Sequence, residues 1–254
     1  MDVTFKSAPN EFYQLYIIHG EFNSQYFPLV YCFLKDKTED TYDHLFTKIK
    51  EVFQEKDLGF PLPLFKIDFE YAAFNAINSS FPSAIRKGCF FHFAQAIWRK
   101  VVDLGLKPMY NNDRNFRESI GMITALAIIL SAKIDEAWDL IKNTLSNTSR
   151  QIIDIFAYIE DVWLSDNRSL FAREIWSQNG VSRGRTNNYA EGVHSAINSS
   201  VNKSRPNFFE IKKILTELHI SNVLEFLRLI GGGDLKERKK KTMWNKTKKN
   251  NQPH

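Results

Sequence analysis

A mixed α/β fold, a sheet flanked by helices, is predicted by three observations. The first third of the chain alternates β-branched and aromatic runs with segments of helical period. Residues 114–175 are almost wholly of helical period. The chain's 254 residues, 43% hydrophobic and 25% charged, are enough apolar material for a buried core of ordinary size.

The elements follow in order. Val3–Lys6 reads as a short strand. Gln14–Ile18 and Tyr26–Leu34 read as an antiparallel pair, with the turn placed at His19–Asn23. Thr38 is a helix N-cap, and Glu39 and Asp40 suit the positive end of the helix dipole. Tyr42, Leu45, Phe46, Ile49, Val52 and Phe53 share one face of that helix, which Gly59 and Pro61 stop. Leu62–Phe69 is read as a buried strand, and a helix from Ala72 ends near Pro82. A short strand at Ile85–Cys89 leads into a helix over His92–Val102.

From Arg114 the apolar stripes are Phe116/Ile120/Ile123/Ala127/Leu130, then Trp138/Ile141/Leu145, then Ile152/Ile155/Phe156/Ile159. The run Ile120–Ala132 is too short for a membrane span, which needs about 20 residues, and is read as a buried helix. Further helices are predicted over Asn188–Val201 and Phe208–Leu229, the second with Ile211, Ile214, Leu215, Leu218 and Val223 recurring at helical spacing. Gly231–Gly233 then breaks the chain.

Composition excludes several classes. Two cysteines, Cys32 and Cys89, cannot build a disulfide framework and suit a reducing compartment. The N-terminus lacks the basic region and apolar core of a signal peptide. The net charge of +5 is concentrated: Lys236–Lys249 holds eight Lys/Arg against one acid, which leaves the remainder slightly acidic. That tail reads as a disordered basic arm, suited to nuclear import or phosphate contacts, or to solubility alone. There is no Gly-rich phosphate loop, no Gly-x-Ser-x-Gly elbow and no His-Glu-x-x-His.

Candidate chemistry lies in acids at strand ends. Asp2 sits beside the first strand and Asp68 closes the Leu62–Phe69 strand. Carboxylates brought together by neighbouring strands repel unless a divalent cation lies between them, and Mg²⁺ favours such oxygen ligands. The alternative is that Asp68 caps the next helix. Glu191 and His194 share a helix face behind the polar start Thr186–Asn188, with Arg183 and Arg185 nearby for phosphate; the alternative is a capped surface helix. Cys89 and His92 form a Cys-x2-His pair. Zinc needs three or four ligands and no second such pair exists, so a buried cysteine and a hydrogen-bonded histidine are expected rather than zinc.

Four segments together resemble the Mutator-like element (MULE) transposase domain. They are Asp2–Pro9 with Gln14–Gly20, Lys66–Ala73, Gly88–Lys100, and Thr186–Asn188 with Glu191 and His194. Where the family pattern reads Asp-Gly-Thr-Phe, Val3 stands in the glycine position. The resemblance implies an RNase H-like mixed sheet flanked by helices, with an all-helical insertion before the last acid; the predicted element order suits such a core. It divides the chain into a core (1–110), a helical insertion (111–180), the remaining core helices (181–230) and a Gly linker with the basic tail (231–254). It implies a DDE-type site of Asp2, Asp68 and Glu191 holding Mg²⁺ or Mn²⁺, and DNA (transposon ends) as partner. Homo-oligomers and a nuclear location are expected, and no membrane. The activity implied is metal-dependent cleavage and strand transfer. Because Asp2 is the second residue, a copy truncated at its N-terminus is expected; the alternative is an inactive DNA- or protein-binding derivative.

Overall fold

A computed structural model describes residues 2–4, 7–58, 64–144, 150–181, 188–201 and 205–232; within these, the side chains of residues 2–4, 150, 151 and 188–191 are not described. It is a mixed α/β structure with two small sheets and many helices. The chain divides into two compact units, residues 1–215 and 216–254.

The first sheet is antiparallel and three-stranded, in the order β1 (Asp2–Thr4), β2 (Gln14–Phe22), β3 (Gln25–Leu34). Strand β2 runs on through His19 to Phe22, so the turn lies at Asn23–Ser24 and not at His19–Asn23. Both turn residues have positive φ, 48° and 64°, as a two-residue hairpin turn matched to strand twist demands. The register shifts where His19 pairs with Pro28 while Ile18 pairs with Val30. Leu29 is therefore the extra residue of a bulge, beside a proline that cannot donate to the ladder. A Cβ at Gly20 would lie 2.5 Å from Leu29 Cδ1, the tip of an exposed side chain that is free to turn aside.

Helix α1 (Glu39–Glu55) starts as predicted: the Thr38 hydroxyl accepts from the Thr41 amide. Tyr42, Leu45 and Phe46 are buried, whereas Val52 is exposed. Asp57, at φ 50°, turns the chain out of the helix; Gly59 and Pro61 lie outside the described residues. The second sheet pairs β4 (Leu64–Ile67) with β5 (Ile85–Gly88) in parallel, through α2 (Tyr71–Ser80) as crossover. Among the described residues the two sheets share no ladder. Tyr16, Tyr42, Phe46, Phe65, Ile67 and Ile77 form the core between the first sheet, α1, α2 and β4.

A second core is helical. It joins α3 (Phe90–Asp103), α5 (Arg114–Ala125), α6 (Ile134–Thr144) and α7 (Arg150–Ile159), which continues as a π-helical turn to Leu164, and α8 (Arg173–Trp176). A short helix, α4 (Lys107–Asn112), precedes α5, with Pro108 in its first turn, where proline is tolerated. The apolar run Ile120–Ala132 is not one helix. The helix ends at Ala125, tight turns follow at Leu126–Ile128 and Ser131–Lys133, and Leu130 is 52% exposed. The break frees the Ala127 carbonyl to accept from the Gln178 amide and that of Ile129 to accept from the Ser177 hydroxyl. These bonds tie α8 to the end of α5.

Helix α9 (Asn188–Ser200) buries Val193 and Ile197, and its Asn198 is bonded to the buried Ser7 hydroxyl. Helix α10 (Phe208–Ile230) buries Ile211 and Leu215 in the first unit. In the second unit Leu218 is only partly covered and Val223 is exposed, so burial along this helical stripe ends at Leu215. No described helix is long and apolar enough to cross a membrane.

Candidate metal centre at the ends of the parallel strands

Parallel pairing sets this site. Ile67 of β4 pairs with Gly88 of β5, and the Cys89 amide donates to the Ile67 carbonyl at 2.8 Å. Asp68 and Cys89 therefore leave their strands side by side, at the carboxyl ends where parallel sheets commonly present their chemistry. Cys89 is also the residue before the first turn of α3. His92, three residues on, returns over Cys89 by helical geometry. One ligand atom from each of Asp68, Cys89 and His92 lies within 4.8 Å of the other two.

Asp68 does not cap α2. The residue preceding that helix is Glu70, with no side-chain cap, and the Asp68 carboxylate instead faces His92, with Nδ1 to Oδ1 2.8 Å. Both side chains are about one-fifth exposed, at 22%, and Cys89 is buried. The contact is a charge pair rather than a straight hydrogen bond, because the buried Nδ1 has no partner at good angles. Burial would lower the His92 pKa, but Asp68 and Cys89 outweigh it and hold the imidazole up to about 10. Both neighbours thus favour the imidazolium form of His92 beside the Asp68 carboxylate.

Around this centre the packing is close. A Cβ at Gly88 would come within 2.4 Å of the Phe69 ring. That ring meets Trp163 edge-on at 4.9 Å and Phe171 at 5.2 Å. The Gly88 carbonyl accepts from Gln178 Nε2 at 2.8 Å, and Lys87 Nζ donates to the carbonyls of Glu174 and Ser177. The helical core thus clamps the end of β5. On the other side, the Tyr42 hydroxyl donates to Glu70 Oε1 at 2.9 Å and accepts from the buried Gln14 Nε2. Lys37 Nζ lies 3.8 Å from the same Glu70 oxygen. Burial raises the Tyr16 hydroxyl well above its ordinary pKa, with Tyr42, Asp68 and Glu70 adding to the shift.

Of the three sequence-predicted acids, the structure describes one side chain, that of Asp68. Asp2 belongs to β1, paired with Ile17, and Glu191 to the first turn of α9; the side chains of both lie outside the described residues, as do Arg183, Arg185 and Thr186. Cys89 and His92 were singled out by spacing, but their third partner was not. Asp68 stands 21 residues before Cys89, and only strand register joins them. Glu70 and Gln14 carried no functional signal in the sequence, and Tyr42 was visible there only as part of the apolar face of α1.

The fold and this cluster define a mixed α/β domain with a carboxylate presented at parallel strand ends. Residues 1–96 match the MULE transposase domain family. That stretch contains Asp2, Asp68, Cys89 and His92, and Glu191 lies beyond it. No curated protein and no solved structure matches the chain.

Proposed function

We propose that this chain is a MULE-type DDE transposase domain with an RNase H-like core, carrying out metal-dependent phosphodiester cleavage and strand transfer on transposon-end DNA. The observation that carries the reading is the Asp68 carboxylate, accessible at the carboxyl end of β4 within the matched stretch. The strand arrangement supports it: three antiparallel strands, a helix, then two parallel strands with a helical crossover. Tyr16 of β2 and Ile67 at the end of β4 share one core, and Tyr16 pairs with Val3, next to Asp2. Helix α9, which carries position 191 in its first turn, meets Ser7 just beyond β1 through Asn198.

In this reading Asp2, Asp68 and Glu191 hold Mg²⁺ or Mn²⁺. Asp68 fits such an ion as a hard oxygen donor; its neighbours Cys89 and His92 do not, being softer donors. When bound, the metal pair activates a water or a DNA 3′-hydroxyl and steadies the leaving oxygen. The helices between α3 and α9 form the insertion that precedes the last acid, and the basic tail adds sequence-independent phosphate contacts.

The test is nicking of supercoiled and transposon-end DNA with Mg²⁺. Wild type is expected to nick, and Asp2→Ala, Asp68→Asn and Glu191→Gln are each expected to abolish nicking while the far-ultraviolet circular dichroism stays unchanged. DNA binding without nicking in the wild type would overturn the enzyme reading in favour of an inactive DNA-binding derivative.

A further inference from the structure

We infer that Asp68, Cys89 and His92 form a binding site for a soft divalent ion of the Zn²⁺ class, distinct in donor chemistry from the Mg²⁺ site proposed above. The donor set is one thiolate, one imidazole and one carboxylate, and the three atoms already lie within 4.8 Å of one another. Mg²⁺ avoids sulfur and nitrogen, whereas Zn²⁺ is held by these three groups. Three protein ligands with a fourth position left for water or a substrate oxygen is the arrangement of open zinc sites.

The geometry needs little adjustment. Zinc bonds of about 2.0–2.3 Å at tetrahedral angles place ligand atoms roughly 3.3–3.6 Å apart. Nδ1 and Oδ1 of the pair, at 2.8 Å, must open by about half an ångström, within the reach of rotamer adjustment. The remaining separations, each under 4.8 Å, close by at most about 1.5 Å on that same geometry. The backbone that carries the ligands is held firmly by the β4–β5 ladder, by Phe69 against Gly88 and by Gln178 on the Gly88 carbonyl. The His92 Nδ1, buried and without an aligned hydrogen bond, is the donor that such an ion would satisfy. Cys89 binds as thiolate and His92 as neutral imidazole, so uptake of the ion releases their protons to solvent.

The site shares Asp68 with the proposed Mg²⁺ site but rests on geometry of its own, and its test involves no DNA, so either reading can fail without the other. The probe is Co²⁺, added to metal-free reduced protein. One equivalent is expected to give a thiolate-to-cobalt charge-transfer band and the visible bands of tetrahedral cobalt, both bleached by Zn²⁺. Cys89→Ser is expected to remove the charge-transfer band, and Cys32→Ser to leave it intact. His92→Gln and Asp68→Asn are expected to weaken Co²⁺ at least tenfold and to keep the charge-transfer band at saturation; either variant carries the test if Cys89→Ser does not fold. Absence of the band in the wild type, its persistence in Cys89→Ser, or unchanged affinity in both His92→Gln and Asp68→Asn would overturn the inference.

Discussion

Replacing Gly88 by alanine adds one methyl group at the point where the sheet meets the helical core. An ideal Cβ there lies 2.4 Å from both Cε1 and Cζ of Phe69. Ordinary carbon contacts begin near 3.5 Å, so ring and strand must part by about 1 Å. The ring is hemmed in on two sides. Trp163 blocks one side at 4.9 Å and Phe171 another at 5.2 Å, and Trp163 is itself held by Phe93 at 4.7 Å. Retreat of β5 instead would stretch the ladder to β4 and the bond from Gln178. Overpacking of this kind costs about 1–3 kcal/mol, and each kcal/mol shifts the melting midpoint of a domain this size by roughly 2–4 °C. Chemical denaturation of Gly88→Ala should show that loss with an unchanged m-value. Phe69→Leu in the same chain should recover part of it, because the two changes meet at one contact. A Gly88→Ala protein within about 0.5 kcal/mol of wild type, the range of an ordinary surface substitution, would refute the reasoning that this junction is rigid.

Other consequences can be measured directly. Burial and the nearby His194 hold His19 down to about 3; a histidine depressed below its unfolded value contributes stability present above about pH 6.5 and lost as pH falls toward 3. His92, held up to about 10, contributes stability present below about pH 6.5 and lost as pH rises toward 10. The melting temperature with chelator present is therefore expected to peak near neutral or slightly acidic pH, and His92→Gln to flatten the alkaline side; an alkaline side unaltered in that variant would contradict it. Tyr42→Phe takes the acceptor from the buried Gln14 amide and a donor from Glu70, and should cost about 1–3 kcal/mol in urea unfolding. Trp176→Ala empties a fully buried site stacked on Phe93 at 5.1 Å and should cost about 3–5 kcal/mol by the same measurement. Deleting residues 236–254, which carry more positive charge than the net charge of the whole chain, should lower DNA affinity and flatten its dependence on salt; an equal salt slope would remove the tail from binding.

Much of this architecture was legible in the sequence because it rests on local chemistry. The Thr38 cap, the α1 face of Tyr42, Leu45 and Phe46, and the helical stripe of Phe116, Ile120 and Ile123 each follow from period and capping alone. Misreadings arose where tertiary contacts override local preference. His19–Asn23 reads as a turn because Gly20 and Asn23 punctuate it, yet β2 runs on to Phe22 and Gly20 lies inside the strand beside the bulge at Leu29. The run from Ile120 is apolar enough for one helix, but it breaks after Ala125, where two of its carbonyls serve Ser177 and Gln178, about fifty residues on. Val223 carries the right period and is exposed, because amphipathic spacing says which face a helix offers and not how far a partner extends along it.

The candidate site shows the same division between local and long-range information. The Cys89–His92 pair is visible by eye, since three residues make one turn of α3, and two soft ligands are too few to hold zinc. What completes the set is the pairing of Ile67 with Gly88. A slip of one residue between β4 and β5 would set Cys89 beside Ile67 or Phe69 and turn the carboxylate to the opposite face. Register, not composition, therefore decides whether these side chains meet. The contact between Gly88 and Phe69 is placed to enforce it, because the smallest residue of β5 receives the Phe69 ring at the last paired position. The same position makes Asp68 the meeting point of two chemistries. On one side stand soft donors built into a strand end and a helix start. On the other is the hard oxygen site proposed with Asp2 and Glu191. An ion gripped by Cys89 and His92 draws charge from the one carboxylate both sites use, so Zn²⁺ is expected to oppose Mg²⁺-driven chemistry on DNA, and Cys89→Ser to relieve that opposition.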